Sequence, residues 1–368
     1  MTEAIKTTAV DQARLEEFFG RAVTDAGAAV TVPLAVVGAR LGLFAAMSVE
    51  EDLTAEQLAN RAGLAERYVR EWLLAMALSG YVTYAGGGSG GAEPKRTARY
   101  RLSPEQATAF TDPESPGYVV GLFQSAAAAT RMVDRLTEVF STGSGIDWHE
   151  HHDDMFEATE KLFRPVYLAN LTSSWIPSLT GVEERLLRGA RVADVGCGFG
   201  SSTIIMAEAY PNSTFVGVDY HAPSIATARE RAEAASVGER ITFRTAGAAD
   251  LDGSYDFISF FDCLHDMPDP SAALRAARRA LAPEGRVMLV EPMSWDTVEE
   301  TLRNPMARSS AGASLLVCLP SGLSRSPGLG LGNQAGVAPV LRLAEEAGFT
   351  GARLATSSEA NIIYELAP

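Results

Sequence analysis

Cysteine is scarce in this sequence: Cys197, Cys263 and Cys318 are the three cysteines among 368 residues. They are odd in number, widely spaced and set among apolar neighbours, which excludes a disulfide framework and a CxxC metal site. A chain without disulfides suits a reducing compartment, so we expect a cytoplasmic location.

Basic charge is also in short supply, because 31 Lys and Arg residues stand against 46 Asp and Glu residues and leave a net charge of −15. Nucleic-acid phosphates and anionic lipid repel such a chain. We therefore expect a small-molecule partner, and we expect neither nucleic acid nor a membrane.

Long hydrophobic runs are missing as well. The longest apolar stretch, residues 26–39, is followed by Arg40 and falls short of the about 20 residues that a membrane helix needs. The opening MTEAIKTTAVDQARLEE lacks the apolar core and small-residue cleavage site of a secretory signal. We expect no membrane span.

The composition is that of a globular protein, with 46% hydrophobic and 21% charged residues. The length allows two domains, which we place at 1–145 and 146–368. Residues 10–46 have a helical pattern in which Leu15, Phe18, Phe19 and Val23 share one face, and the run VPLAVVGARLGLFAAM is apolar on almost every side. Such a surface favours burial against a second subunit, so we expect a homodimer.

A winged helix follows. Thr54 and Gln57 form a capping box, Gly63 makes a turn, and a second helix runs from there. The short β-type runs YVTYA and ARYRLS flank the glycine-rich loop GGGSGGAEPKRT, which predicts a hairpin with a flexible tip.

Beyond residue 190 the pattern becomes strand, turn, helix, with RVADVGCG, STFVGVDY, ITFRTAG, YDFISFFDCL and RVMLVEP as strands. Strands that alternate with amphipathic helices indicate an α/β domain with a parallel sheet and helices on both faces. Ligands of such sheets bind beyond the carboxyl ends of the strands.

Gly196, Gly198 and Gly200 follow the first of these strands, and Asp219 ends the next one. The glycines let the backbone approach a ligand closely, and the acid is placed to accept hydrogen bonds from ribose hydroxyls. The alternative is a tight turn with a solvated, helix-capping Asp219.

The motifs VADVGCGFG, VGVDY, GAAD and DCLHDMPDP resemble those of class I S-adenosylmethionine-dependent methyltransferases. The preceding winged helix resembles the dimerisation domain of the small-molecule enzymes, and GIDWHEHHDDMFEATEKLFRPVYLANLTSSWIP is similar to a regulator-like bacterial branch. The resemblance implies a Rossmann-like catalytic domain behind a mostly helical winged-helix domain.

The resemblance also implies a cofactor site for S-adenosylmethionine. Asp194 and the three glycines would face its methionine part, Asp219 its ribose, and Ala249 and Asp250 its adenine, while Asp262 would line the methionine pocket. Tyr220 is a further cofactor-binding candidate. His265 stands just past a strand end, where these enzymes often place a general base. An imidazole that only binds Asp266 or closes the loop is the alternative.

Further candidates precede the α/β domain. In DWHEHHDD we interpret Trp148, His149 and His151 as a lid or substrate-contact segment, with a solvated loop or a metal site as alternatives. The spacing matches no closed zinc signature, so we predict no metal. Arg164 and Tyr167 share a helix face, and one of them would meet the cofactor carboxylate unless both serve helix packing.

The sequence thus predicts a methyltransferase that acts on the O, N or C atom of a small molecule, and we expect a role in secondary metabolism. One alternative is an enzyme that cyclises the cofactor's aminocarboxypropyl arm and releases methylthioadenosine. It is motivated by the late segment 304–336, where Ser309, Ser310, Arg325 and Ser326 depart from the pattern of the branch. Another is a DNA-binding regulator, although seven basic against four acidic residues in 54–101 give the winged helix a charge of only +3.

Overall fold

The computed structural model describes residues 10–47, 49, 51–88 and 94–368. The chain divides into two compact units, Met1–Ala127 and Ala128–Pro368. The domain limit proposed from the sequence, between residues 145 and 146, falls later than this division and remains a prediction.

The first unit is mostly helical. Its helices are α1 Gln12–Arg40, α2 Leu43–Ala46, α3 Ala55–Ala62, α4 Glu66–Leu78, α5 Pro94–Thr97, α6 Pro104–Thr111 and α7 Val120–Ala129, which ends just inside the second unit. Strands β1 Leu53–Thr54, β2 Thr83–Gly86 and β3 Arg99–Arg101 form an antiparallel sheet in the order β1-β3-β2 among the residues described. The predicted hairpin and the capping box of Thr54 and Gln57 are both present.

The tip of the hairpin differs in part from the prediction. Residues 89–93 of the glycine-rich loop lie outside the described residues, but Pro94–Thr97 forms a helical turn rather than a flexible end. Its start at a proline fits the usual first helical position.

Helices α1 and α4 pack closely in this unit. The indole Nε1 of Trp72 donates to the carbonyl of Leu34 at 2.9 Å, and a Cβ built on Gly38 would strike the Trp72 ring. Phe44 stacks on Phe110 at 4.1 Å between ring centroids. These contacts explain why a glycine stands inside an apolar helix.

Helix α1 corrects the expectation that no apolar segment is long enough to cross a membrane. It is 29 residues long and, by length and composition, apolar enough to do so, because the helix begins well before the apolar run 26–39. One such helix near the N-terminus is weak evidence for a membrane span, since core helices pass the same test. The four residues predicted to share one face of this helix are all exposed: Leu15, Phe18, Phe19 and Val23.

The second unit is built on a seven-stranded sheet in the order β6-β5-β4-β7-β8-β10-β9. The strands are β4 Arg191–Val195, β5 Thr214–Asp219, β6 Ile241–Thr245, β7 Tyr255–Phe261, β8 Leu281–Pro292, β9 Gly351–Ser357 and β10 Asn361–Ala367. Strands β4 to β8 are parallel, whereas β10 lies antiparallel between β8 and β9.

The helices of this unit are α8 Val133–Thr142, α9 Asp153–Asn170, α10 Val182–Arg188, α11 Ser201–Ala209, α12 Ala222–Ala234, α13 Pro270–Ala280, α14 Val298–Arg303, α15 Ala307–Ala313, α16 Leu319–Gly322 and α17 Val337–Glu346. Apolar clusters bury both faces of the sheet, with α11, α12, α13 and α17 packed against its strands. In β8, Val287 and Leu289 belong to the apolar cluster on one face, and Met288 and Val290 to the cluster on the other. The central strands β4 and β7 are mostly apolar because both of their faces are buried, whereas the edge strand β9 is largely exposed.

Candidate functional site

The glycine loop lies at the carboxyl edge of the sheet, between β4 and α11. Gly196, Gly198 and Gly200 have φ angles of 73°, 51° and 82°, in the left-handed region that favours glycine. A Cβ on Gly196 would lie 2.7 Å from the Sγ of Cys263, whereas a Cβ on Gly198 would have no atom within 4 Å. Gly196 therefore serves packing, and Gly198 faces open space that a ligand can enter.

Asp219 ends β5 beside this loop. Its two carboxylate oxygens accept the backbone N–H of Gly198 at 3.0 Å and of His221 at 2.8 Å. Burial raises the pKa of Asp219, and these two hydrogen bonds oppose the rise. Each oxygen keeps a second lone pair, so the carboxylate can still accept hydrogen bonds from a ligand.

Asp194 is buried beneath the loop. It accepts hydrogen bonds from Ser202 and Thr203, both at 2.6 Å, and from Ser259 at 3.1 Å. Burial raises the pKa of Asp194, while the three hydroxyls oppose the rise. These contacts make Asp194 a support for the start of α11, and its predicted contact with a cofactor stays a prediction.

Asp262 follows β7 with φ of 48°, a strained conformation for a residue other than glycine. Tyr167 donates its hydroxyl to one carboxylate oxygen at 3.1 Å, and the Asn361 amide donates to the other at 2.9 Å. Burial, followed by the charge of Glu291, raises the pKa of Asp262 to about 8. The structure thus places Tyr167, predicted as a substrate or lid residue, against a predicted cofactor residue, and it adds Asn361.

His265 is buried on the turn Leu264–Asp266, which follows β7. Its Nδ1 lies 2.5 Å from Oε2 of Glu291 at the end of β8, and its Nε2 lies 3.3 Å from Oδ1 of Asp266. Burial lowers the pKa of His265, but the charges of Asp266 and Glu291 and the neighbouring Cys318 thiol outweigh it, so the pKa lies well above its usual value.

Sequence reasoning missed Glu291. A signal was present, because it is the acidic residue at the end of the apolar run RVMLVEP. A buried carboxylate needs a partner, and the partner is the predicted base.

The late segment packs on the turn that carries His265. Gly332 donates its backbone N–H to the carbonyl of His265 at 3.1 Å, and Leu329 donates to the carbonyl of Pro268 at 3.1 Å. A turn of π-helix, Ser314–Cys318, brings the Cys318 thiol to the imidazole. Part of the late segment 304–336 therefore lies against the turn that carries the candidate base.

The histidine-rich segment lies beside Tyr220 rather than at His265. The ring of His149 is 6.1 Å from that of Tyr220, and Trp148 contacts His151 at 5.6 Å between ring centroids. Arg325 pairs with Asp147 at 2.8 Å and lies over the Tyr220 ring. The segment therefore lies close to Asp219, since Tyr220 is the next residue.

The remaining candidates occupy separate places. Ala249 and Asp250 are exposed on the turn Ala248–Asp250, two residues beyond β6. Arg164 is partly buried on α9, one turn before Tyr167. His152, from the same histidine-rich segment, accepts the N–H of Asp154 at 3.1 Å and caps α9.

Comparisons with known proteins agree with this architecture. Residues 186–324 match the family model described as a methyltransferase domain, and residues 28–112 match that of the Rv2258c-like winged HTH domain. Both the resemblance and the fold class predicted from the sequence are confirmed, and neither the cyclising enzyme nor the DNA-binding regulator gains support.

Curated relatives match over part of their length. The 27-O-demethylrifamycin SV methyltransferase of Amycolatopsis mediterranei is 38% identical over 108 residues, which are 28% of this chain and 39% of the relative. The ubiquinone biosynthesis O-methyltransferase of Bordetella avium is 31% identical over 151 residues, 40% of this chain and 56% of the relative. The chain thus spans less than two thirds of these relatives.

Solved structures match over nearly the whole chain. The mitomycin 7-O-methyltransferase has a TM-score of 0.69 at 19% identity, covering 97% of this chain and 99% of that one. Human N-acetylserotonin methyltransferase, in complex with S-adenosylmethionine, has a TM-score of 0.66 at 16% identity, covering 98% and 99%. At these identities the likeness establishes the shared fold.

Proposed function

We propose that this chain, which carries a methyltransferase domain behind a winged helix-turn-helix domain, transfers a methyl group from S-adenosylmethionine to a small-molecule acceptor. The observation that carries the proposal is the buried pair of His265 and Glu291 at the sheet edge that also carries the glycine loop and Asp219. A loop for a nucleoside and a base for an acceptor then share one crevice.

The residues present fit this cofactor. The open space at Gly198 admits a ligand, and the acidic side chains of Asp219 and Asp262 suit ribose hydroxyls and a cation. Asp219 and Tyr220 would hold the ribose, Ala249 and Asp250 the adenine, and Asp262 the methionine end. When bound, the cofactor supplies an electrophilic methyl group on a sulfonium.

His265 would act on the acceptor. With its Nδ1–H directed to Glu291, the neutral imidazole presents Nε2 as the basic atom, and Nε2 takes the proton from the acceptor. Glu291 is then a positioning residue that fixes the tautomer and the ring. Because the pKa of His265 lies well above its usual value, we expect transfer to increase with pH above neutrality.

An oxygen atom of a secondary metabolite is the acceptor we favour, because the matched relatives are named for O-methylation of rifamycin and ubiquinone precursors. Trp148, His149, His151 and Arg164 would close the site beside Tyr220 as a lid. We further propose a cytoplasmic homodimer, in which the exposed apolar face of α1 is covered by a second subunit.

A binding and turnover experiment tests the proposal. Calorimetry with S-adenosylmethionine measures cofactor affinity, and mass spectrometry on a panel of phenolic acceptors detects S-adenosylhomocysteine and the methylated product. We expect His265→Asn to keep cofactor affinity and to reduce transfer by about 10²–10⁴-fold, the usual contribution of a general base. Full transfer in His265→Asn would remove His265 from the mechanism, and a wild-type chain without cofactor affinity would end the proposal.

A further inference from the structure

The turn that carries His265, the proposed base, also gathers two side chains, Asp266 and Cys318, that methyl transfer does not require. Among the described residues, His265, Asp266 and Cys318 each offer one ligand atom, a nitrogen, an oxygen and a sulfur, within 4.8 Å of one another. His265 and Cys318 are buried, and the side chain of Asp266 is 21% exposed. This set is unlike a solvated acidic cluster, because its members are chemically different and mostly inaccessible to water.

Two neighbouring elements bring the three residues together. His265 and Asp266 are consecutive on the turn Leu264–Asp266, and Cys318 ends the π-helical turn Ser314–Cys318. The hydrogen bond from Gly332 to the carbonyl of His265 ties the late segment to this turn. Turns of π-helix often mark functional sites, because they displace a side chain from regular helical register.

The donors suit a transition-metal ion. Imidazole nitrogen, thiolate sulfur and carboxylate oxygen are the ligands of Zn²⁺, and three protein ligands with one open position form a common coordination. Oδ1 of Asp266 is buried and makes no hydrogen bond in the described part of the chain, although Nε2 of His265 lies 3.3 Å away. A buried carboxylate oxygen without a hydrogen bond is costly, and a cation would satisfy it.

Glu291 supplies a further feature of metal sites. A histidine that binds a metal through one nitrogen usually donates its other N–H to a carboxylate, which fixes the ring. Nδ1 of His265 lies 2.5 Å from Oε2 of Glu291, and this leaves Nε2 directed toward Asp266 at 3.3 Å.

We propose that His265, Asp266 and Cys318 bind a divalent transition-metal ion of the Zn²⁺ class, with Glu291 orienting the imidazole. Binding releases to solvent the Cys318 thiol proton and any proton on Nε2 of His265, and no electron is transferred. This departs from the expectation that the chain holds no metal. If His265 is the base of the proposed function, the ion occupies the lone pair of Nε2 and inhibits methyl transfer.

Cobalt titration of the full chain tests the site without cofactor or acceptor. Co²⁺ bound to a thiolate absorbs in the near ultraviolet, so we expect a saturable band that Zn²⁺ abolishes. Cys318→Ser removes the band, and Glu291→Gln keeps it but weakens metal affinity by about 10–100-fold. His152→Asn is the matched control, because it removes a histidine from the rival segment and leaves a residue that can cap α9; we expect it to bind as the wild type does.

Two outcomes overturn the proposal: a wild-type chain without the near-ultraviolet band, or a band that survives Cys318→Ser. Circular dichroism checks that Cys318→Ser folds. If this variant does not fold, the cobalt titrations of the wild type and of Glu291→Gln decide the outcome. Inhibition of transfer by Zn²⁺ and its reversal by a chelator are measured separately. Failure of the proposed function would remove that readout and leave the cobalt result intact.

Discussion

At the scale of single residues, Asp262 combines a strained backbone with a carboxyl held on both sides by donors from distant elements. Its pKa of about 8 means that the free protein holds this group largely protonated at neutral pH. A bound cation favours the carboxylate, so binding below pH 8 must release the proton.

We therefore predict that affinity for S-adenosylmethionine rises with pH up to about 8 and then levels off, by at most tenfold per pH unit. Calorimetry in buffers of different ionisation enthalpy measures both the affinity and the released proton. Asp262→Asn keeps a residue that tolerates positive φ and should remove the pH dependence. If Asp262→Asn binds with an unchanged pH profile, Asp262 does not face the cation.

Tyr167→Phe provides a milder change at the same place. The ring contacts with Phe163 and Phe261 remain, and only the hydrogen bond to Asp262 is lost. We expect cofactor affinity to fall by about 5–10-fold, as for the loss of one ordinary hydrogen bond, with the unfolding temperature nearly unchanged. Wild-type affinity would show that Asn361 alone holds the carboxyl.

At the scale of elements, the contact of α1 with α4 depends on Gly38. Its Cβ position is occupied by the Trp72 ring, so Gly38→Ala should cost about 1–3 kcal/mol of unfolding free energy through overpacking. A Cβ on Gly27, on the same helix, would have no atom within 4 Å, so Gly27→Ala should stabilise the fold by about 0.5–1 kcal/mol, because alanine favours helix. Urea unfolding measures the change in unfolding free energy for both variants. Changes of the same sign would contradict the packing of these helices.

Local signals account for the elements that the sequence predicts correctly. Thr54 and Gln57 are three residues apart, and the glycine loop is continuous with its strand, so their geometry follows from neighbouring residues. Asn361 and Glu291 escape prediction because their partners lie 99 and 26 residues away along the chain. The order of strands in the sheet creates these pairs, and no local pattern encodes that order.

At the scale of the whole molecule, the exposed apolar face of α1 and the charge of −15 have opposite effects on the association of two copies. Net charge keeps copies apart in solution, whereas burial of apolar side chains brings them together at about 25 cal/mol per Å². Phe18 and Phe19 are 63% and 67% exposed, so both offer apolar area to the second subunit of the proposed dimer.

We predict that Phe18→Glu combined with Phe19→Glu converts a dimer to a monomer, because two further charges on this face cannot be buried. Light scattering during gel filtration reports the mass. Leu302→Glu, at an 80% exposed position on α14, is the control and should leave the mass unchanged. A wild-type monomer would contradict the proposed dimer.

The position of β10 has a consequence for biosynthesis. Strand β9 leaves the ribosome before β10, yet in the described sheet it pairs with β10 and not with any earlier strand. Glu365 of β10 also binds Arg286 and Arg353, and Asn361 completes the partners of Asp262. The nascent chain therefore carries an unpaired edge at β8 until β10 emerges, and Asp262 lacks one of its two side-chain donors until then.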